Sequence, residues 1–430
     1  MQMKMTGLGS ALVLSATVAA AAGASAQDCS VTIGSVVSLT GPAGPYGQAA
    51  AHSIELAFQD INQAGGVAVD GSVGCMLEVS VRDAQSQGTV AADAARQLVD
   101  LDGVPVIIGG IISSVSMPIL TSVTAPSGIV QVSPASSSPS FTALAREGKT
   151  GGYWFRTITS DALQGTAAAR YALDSGLDSL AVIHVNNDFG VNMVAEFRRA
   201  FEALGGTITS VTPYNESQSS YNPEVAAAMA GDPKALYLIA YPSDGATVAR
   251  TWISQGGPQV FLLNDGMNSA EFVTAVGAEY LNGAYGTSSG TTATPSTEYF
   301  ASVYSDYTGG EFDHQAPAAD RAYDAAAIVG LAVAHAGSTD PDTIRDAIRA
   351  VLDPEGEVVH AGMEEFGRAL ELIAAGQPIR YVGVIGAVQF DDYGDITGPF
   401  RLWRIQDGEV VTTGEMSTED VAAIMAEIDG

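Results

Sequence analysis

The residues best suited to chemistry in this sequence lie in three short polar loops, each following an apolar run. Gly109-Gly110-Ile111-Ile112-Ser113-Ser114 follows Val104–Ile108, and Ser133-Pro134-Ala135-Ser136-Ser137-Ser138-Pro139 ends Ile129–Ser133. Hydroxyls and the unpaired N–H groups of a helix start suit a small carboxylate, although the same residues also serve as plain helix caps. Asn264-Asp265-Gly266 follows Val260–Leu263 and sets one acid at a strand end, as an ammonium partner or an ordinary turn aspartate. Tyr46, Phe189 and Tyr241 end or follow further strands, and each has packing as its alternative. Serines on one side and an acid on the other describe a cleft for an α-amino acid. Closing over it buries each charge with its partner, whereas unpaired burial would be prohibitive.

Catalytic patterns fail on their context. Gly286-Thr287-Ser288-Ser289-Gly290 matches G-x-S-x-G, but a nucleophile elbow needs a helix next and Thr291-Thr292-Ala293-Thr294-Pro295 is a loop. No phosphate-binding glycine motif opens a helix. Asp391-Asp392-Tyr393-Gly394-Asp395 lacks the order of a calcium loop and reads as a hairpin turn. The histidines are scattered and two cysteines cannot build a four-ligand zinc site. No enzyme, metal or cofactor is expected.

The elements that must position these loops alternate. Val31–Leu39, Leu77–Asp83, Val104–Ile108 and Ile129–Ser133 read as strands. Helices separate them at Gln48–Ala64, Ala91–Leu101 and Ser113–Ala125, the last with Pro118 in its first turn or so. The alternation restarts at the helix Leu163–Leu173 and continues through strands Leu180–Val185, Thr207–Thr212, Ala235–Ala240 and Val260–Leu263. Two α/β units with doubly wound, parallel sheets follow, and ligands bind such sheets at the carboxyl ends of the strands. The turn-rich Glu147–Gly152 reads as the joint between the units. After Gly290 come helices at Thr297–Tyr307, Ala318–Ala336 and Pro341–Val351, a strand–turn–strand over Val384–Ile405, and a terminal helix Ser417–Ile428. Too few strands remain for a third unit, so these segments complete the first two.

Cys29 and Cys75 each stand two residues before a strand, Val31 and Leu77. If those strands are parallel neighbours, equal offsets place the cysteines side by side, and a disulfide is expected.

The 430 residues carry 48 acidic and 18 basic side chains, a net charge of −30. That charge repels phosphate backbones and anionic lipid, so nucleic acid is excluded as a partner. At 47% hydrophobic residues the chain has ample material for two cores. Residues 1–26 read as a cleaved export signal, with Lys4, the apolar run Leu8–Ala22 and the cleavage site Ala24-Ser25-Ala26. The expected location is the periplasm.

Seven segments stand out in order: Ile33-Gly34, Leu39-Thr40-Gly41-Pro42, Asp60-Ile61-Asn62-Gln63-Ala64-Gly65-Gly66-Val67, Ser133-Pro134-Ala135, Phe155-Arg156-Thr157, Asp188-Phe189-Gly190 and Ala322-Tyr323-Asp324-Ala325-Ala326. Through them the sequence resembles the Leu/Ile/Val-type substrate-binding proteins of ABC importers, members of the type I periplasmic binding fold. The resemblance implies two lobes joined by three crossovers, near Phe155–Ser160, Gly286–Gly290 and Asp391–Gly398, closing by a hinge. One lobe would be 27–155 with 288–392, the other 156–287 with 393–430. By the same resemblance Ser113, Ala135, Ser136 and Ser137 hold the ligand's carboxylate and ammonium. Asp265 pairs the ammonium, and Tyr46, Phe189 and Tyr241 cover the cleft. A monomeric receptor for an aliphatic amino acid, delivering to an inner-membrane permease, is implied. An amide, urea or aromatic carboxylate ligand, or a regulatory partner, are the alternatives. The chain departs from the family where an aromatic is missing near Ala318, in the position of its disulfide, and in a longer stretch at Asp353–Tyr381. The missing aromatic bears on which side chain the cleft admits.

Overall fold

The computed structural model describes residues 29–429, so the export signal read over residues 1–26 lies outside the described residues. Two sheets form the cores of two lobes. The first has the order Val67–Val69, Ser72–Asp83, Ser30–Val37, Val106–Gly109, Val130–Ser133, Trp154–Arg156. The second has the order Glu409–Met416, Phe400–Gln406, Tyr285–Ser289, Phe261–Leu263, Ala235–Ile239, Ser179–Val185, Thr207–Tyr214. Pairing is parallel except at one edge of each sheet, where Val67–Val69 and the two strands after Phe400 run antiparallel. Central strands such as Val106–Gly109 and Ala235–Ile239 are buried along their whole length, as helices on both faces require.

Ser30 pairs with Met76 in parallel register, which sets Cys29 beside Cys75. The two form a disulfide with Cα atoms 4.7 Å apart, closing a sequence separation of 46 residues. Loop-closure entropy gives such a cross-link about 2–4 kcal/mol. Replacing both cysteines by serine is expected to lower unfolding stability by about that amount in urea. A loss under about 0.5 kcal/mol would show that the sheet alone holds the first strand.

The chain crosses between the lobes three times, and the crossings are bonded to one another. Thr159 bridges to Ile396, and its hydroxyl meets that of Ser289. The Thr157 hydroxyl donates to the Arg321 carbonyl at 2.9 Å. Arg156 ends the first sheet, while Ser288 and Ser289 lie in the second, one and two residues beyond the lobe boundaries drawn from the sequence.

Several sequence expectations need correction. The turns at Glu147–Gly152 are not the joint, because Trp154–Arg156 still adds the last strand to the first sheet. No strand spans Val384–Phe390. The amides of Val384 and Ile385 donate to the Asp324 carboxylate at 2.8 and 2.9 Å and are lost to any ladder, leaving only Gly386–Ala387 paired. Asp391–Asp395 is a lobe crossing, not a hairpin turn. The true hairpin follows Phe400–Gln406, where Asp407 and Gly408 both take positive φ (52° and 87°) and return the unpredicted strand Glu409–Met416. Helix Ser113–Ile119 holds Pro118 in its interior, beyond the first turn, and runs on into a π-type turn at Leu120–Thr124.

Candidate functional site

The loops meet at the strand ends between the lobes. Gly109 passes so close to the first strand that a Cβ would sit 2.1 Å from the Val36 carbonyl oxygen, and this brings Ser113 to the cleft. The Ser113 hydroxyl accepts from the Ser138 N–H at 3.2 Å, binding the two hydroxyl loops together. Ser133 fixes the second loop from inside, donating to the Gly110 carbonyl at 2.6 Å and accepting from the Ser136 N–H at 3.1 Å. Arg156 fixes it from below. Its Nη1 donates to the carbonyls of Ser136 and Ser138 at 3.2 and 2.9 Å, and its Nε to Asp395 at 2.7 Å.

The opposite wall comes from the second lobe. Asn264 accepts from the Ala240 N–H at 3.0 Å and donates to Asp265 Oδ1 at 3.1 Å, so the neighbouring side chain aims the acid. Gly266 leaves the space through which the Tyr46 hydroxyl of the first lobe approaches. Phe189 and Tyr241 stack with ring centroids 5.7 Å apart, and the Tyr241 hydroxyl accepts from Asn187 at 3.3 Å. The lobes also touch at the cleft edge, where Ser140 donates to Asp188 at 3.2 Å.

Tyr46, Ser113, Ala135, Ser137, Phe189, Tyr241 and Asp265 together line one small cavity. Ser136 is not among its walls. Its hydroxyl turns inward and shares a 2.6 Å hydrogen bond with Ser116. Through Tyr46, Ala135 and Asp265 this space continues into a cavity of about 220 Å³, below the ~300–1,000 Å³ of sites for drug-sized ligands. A small metabolite fits that scale.

Burial pushes the Asp265 carboxyl above the usual range, and its bonds to Asn264 and the Gly266 N–H only partly offset this. Asp161 lies behind the site: it lines neither cavity but is coupled through space to Asp265. It opens the helix Asp161–Asp174 directly after the first crossing and is fully buried. Neither carboxyl oxygen meets a donor at hydrogen-bonding geometry, although the Ser137 hydroxyl is close by. Burial, then the charge of Asp265, push its carboxyl well up. The sequence reading began this helix at Leu163 and gave Asp161 no role.

Residues 30–369 match the profile of a family described as periplasmic binding protein. The chain belongs to that family. The binding protein is 28% identical to the chemotactic signal transduction system substrate-binding protein BasB of Halobacterium salinarum, over 89% of this chain and 88% of that one. It is 26% identical to Leu/Ile/Val-binding protein homolog 3 of Brucella melitensis, over 90% of this chain and 95% of the other. The leucine binding protein LivK of Thermotoga maritima shares the two-lobe fold with a TM-score of 0.75 at 23% identity, covering 91% of this chain and 99% of that one. The binding protein is thus a solute receptor and not an enzyme. Among the described residues, no helix is long and apolar enough to cross a membrane.

Proposed function

We propose that this binding protein is the receptor of an ABC importer. It takes an α-amino acid between its lobes and presents the closed form to a membrane permease. It works as a monomer in the periplasm after loss of residues 1–26, and its lobes hinge at the three crossings. The observation that carries the reading is one cavity lined by Ser113 and Ser137 of the first lobe and Asp265 of the second. Hydroxyls there meet the ligand carboxylate and Asp265 meets its ammonium, so no charge is buried alone. The Brucella relative, named for leucine, isoleucine and valine, supports the amino-acid class.

Calorimetry with a panel of L-amino acids tests the class, and binding by none of them would end it. The pH dependence adds a signature. Burial raises the Asp265 pKa in the free protein, and a bound ammonium stabilises the ionised form and lowers it again. Affinity is therefore level above the raised pKa and falls as the pH drops through it, by about tenfold per pH unit. Binding in that window releases a proton, detected as a binding heat that changes with the ionisation enthalpy of the buffer. Affinity that rises on acidification would contradict the assignment.

A second reading, a receptor whose closed form signals to a regulatory partner, is supported by the chemotactic role in the name of the halobacterial relative. Loss of the protein would then abolish the taxis response while leaving uptake of labelled ligand intact.

A further inference from the structure

The larger cavity has a second charged end. Arg401 lies on strand Phe400–Gln406, directly opposite Ser288 on its antiparallel neighbour, and both residues line the cavity with Asp265. Among the described residues the Arg401 guanidinium has no hydrogen-bond or ion-pair partner, and its Nε is buried. The nearby acid cannot serve it. Asp320 is committed to Arg321, accepting from Nη1 at 2.7 Å and from the backbone N–H at 2.7 Å. Arg321 in turn spends Nη2 on the carbonyls of Ser289 and Gly290, at 3.0 and 3.1 Å, while its own Nε is buried without a partner. Asp320 and Arg321 act on Arg401 with opposite sign, and Arg401 is left without a bonded partner on that wall.

An aliphatic ligand would close the cleft around this guanidinium and supply nothing to it, and burying a charge unpaired is costly. Ala318 lines the same cavity, so no ring at that position screens the arginine from the ligand. We propose that the ligand is an acidic α-amino acid, its ammonium on Asp265 and its side-chain carboxylate on Arg401. Guanidinium matches carboxylate with two parallel N–H groups, which makes Arg401 a specificity-determining residue. The inference rests on the amino-acid reading above and replaces the aliphatic side chain implied by the sequence resemblance.

The test is calorimetry of the intact protein with L-glutamate, L-aspartate, L-leucine and glutarate, on wild type, Arg401→Gln and Arg401→Lys. Wild type is expected to bind at least one of the two acidic amino acids more than tenfold tighter than leucine. Glutarate, which lacks the ammonium, binds at least tenfold more weakly than the better acidic amino acid. Arg401→Gln loses at least tenfold for that amino acid while leucine affinity holds or improves, and Arg401→Lys recovers part of the loss. Leucine binding as tightly as both acidic amino acids in wild type overturns the proposal and leaves the amino-acid reading standing. An acidic affinity within twofold of wild type in Arg401→Gln does the same. Binding of no amino acid at all overturns both.

Discussion

Asp265→Ala is expected to weaken amino-acid binding by about 2–5 kcal/mol, at least 30-fold in Kd. The side chain faces a cavity closed by Tyr46 and walled by Ser113 and Ser137, with little water to take over its role. Removing it leaves the ligand ammonium buried without its counter-charge, and that cost exceeds the worth of a surface pair. Asp161 limits the loss. Its carboxyl is held up partly by the charge of Asp265, so removing that charge lets Asp161 ionise more readily and compensate in part. Asp265→Ala combined with Asp161→Asn is therefore expected to lose more than the sum of the two single effects. The measurement is calorimetry at neutral pH with the tightest ligand. A loss below about 0.5 kcal/mol in the single variant would place the acid outside the site.

Arg156→Met is expected to lower unfolding stability by about 3–5 kcal/mol. Arg156 is completely buried and bonds Asp395, two loop carbonyls and the Thr142 hydroxyl. Methionine fills most of the space but leaves the Asp395 carboxylate, itself only 11% exposed, without its cation. Replacing both partners by apolar residues removes the stranded charge as well. Arg156→Met with Asp395→Leu should therefore recover at least half of the loss. The expected functional consequence is separate. With Ser136 and Ser138 unfastened, Ser137 loses its fixed position, and ligand affinity falls even where the protein remains folded. Urea titration and calorimetry on the same samples separate the two effects. A single variant within 1 kcal/mol of wild type would show that this clasp contributes little.

Some of the resemblance-bearing segments are scaffolding rather than site. Asp60 accepts from the hydroxyls of Tyr299 and Tyr323, and Asn62 exchanges bonds of 2.7 and 2.9 Å with the backbone of Leu77. Asp324 holds the turn at Val384–Ile385. These groups fasten helix to helix and helix to sheet, and none of them lines the small cavity. Motifs of this kind identify a fold well because they keep its parts in place, and for the same reason they say little about the ligand.

What the sequence determined by itself was local or periodic. Apolar runs alternating with helical spacing gave the parallel sheets, because strands covered on both faces must be apolar throughout. Equal offsets of Cys29 and Cys75 from two apolar runs gave the disulfide, although Cys75 lies inside the strand Ser72–Asp83 and not ahead of it. Polar loops after strands marked the cleft, since that is where a doubly wound sheet leaves backbone groups open. Tertiary structure decided what depends on distant partners. Val384 and Ile385 look like strand until the Asp324 carboxylate, sixty residues away, takes their N–H groups. Asp161 carries no signal in the sequence, and only the fold buries it within reach of the Asp265 charge. Arg401 looks like an ordinary strand residue until Asp320 is seen to be spent on Arg321. Periodicity is written in neighbours along the chain, but whether a charge is paired depends on which groups the fold brings within a few ångströms, and no spacing in the sequence records that.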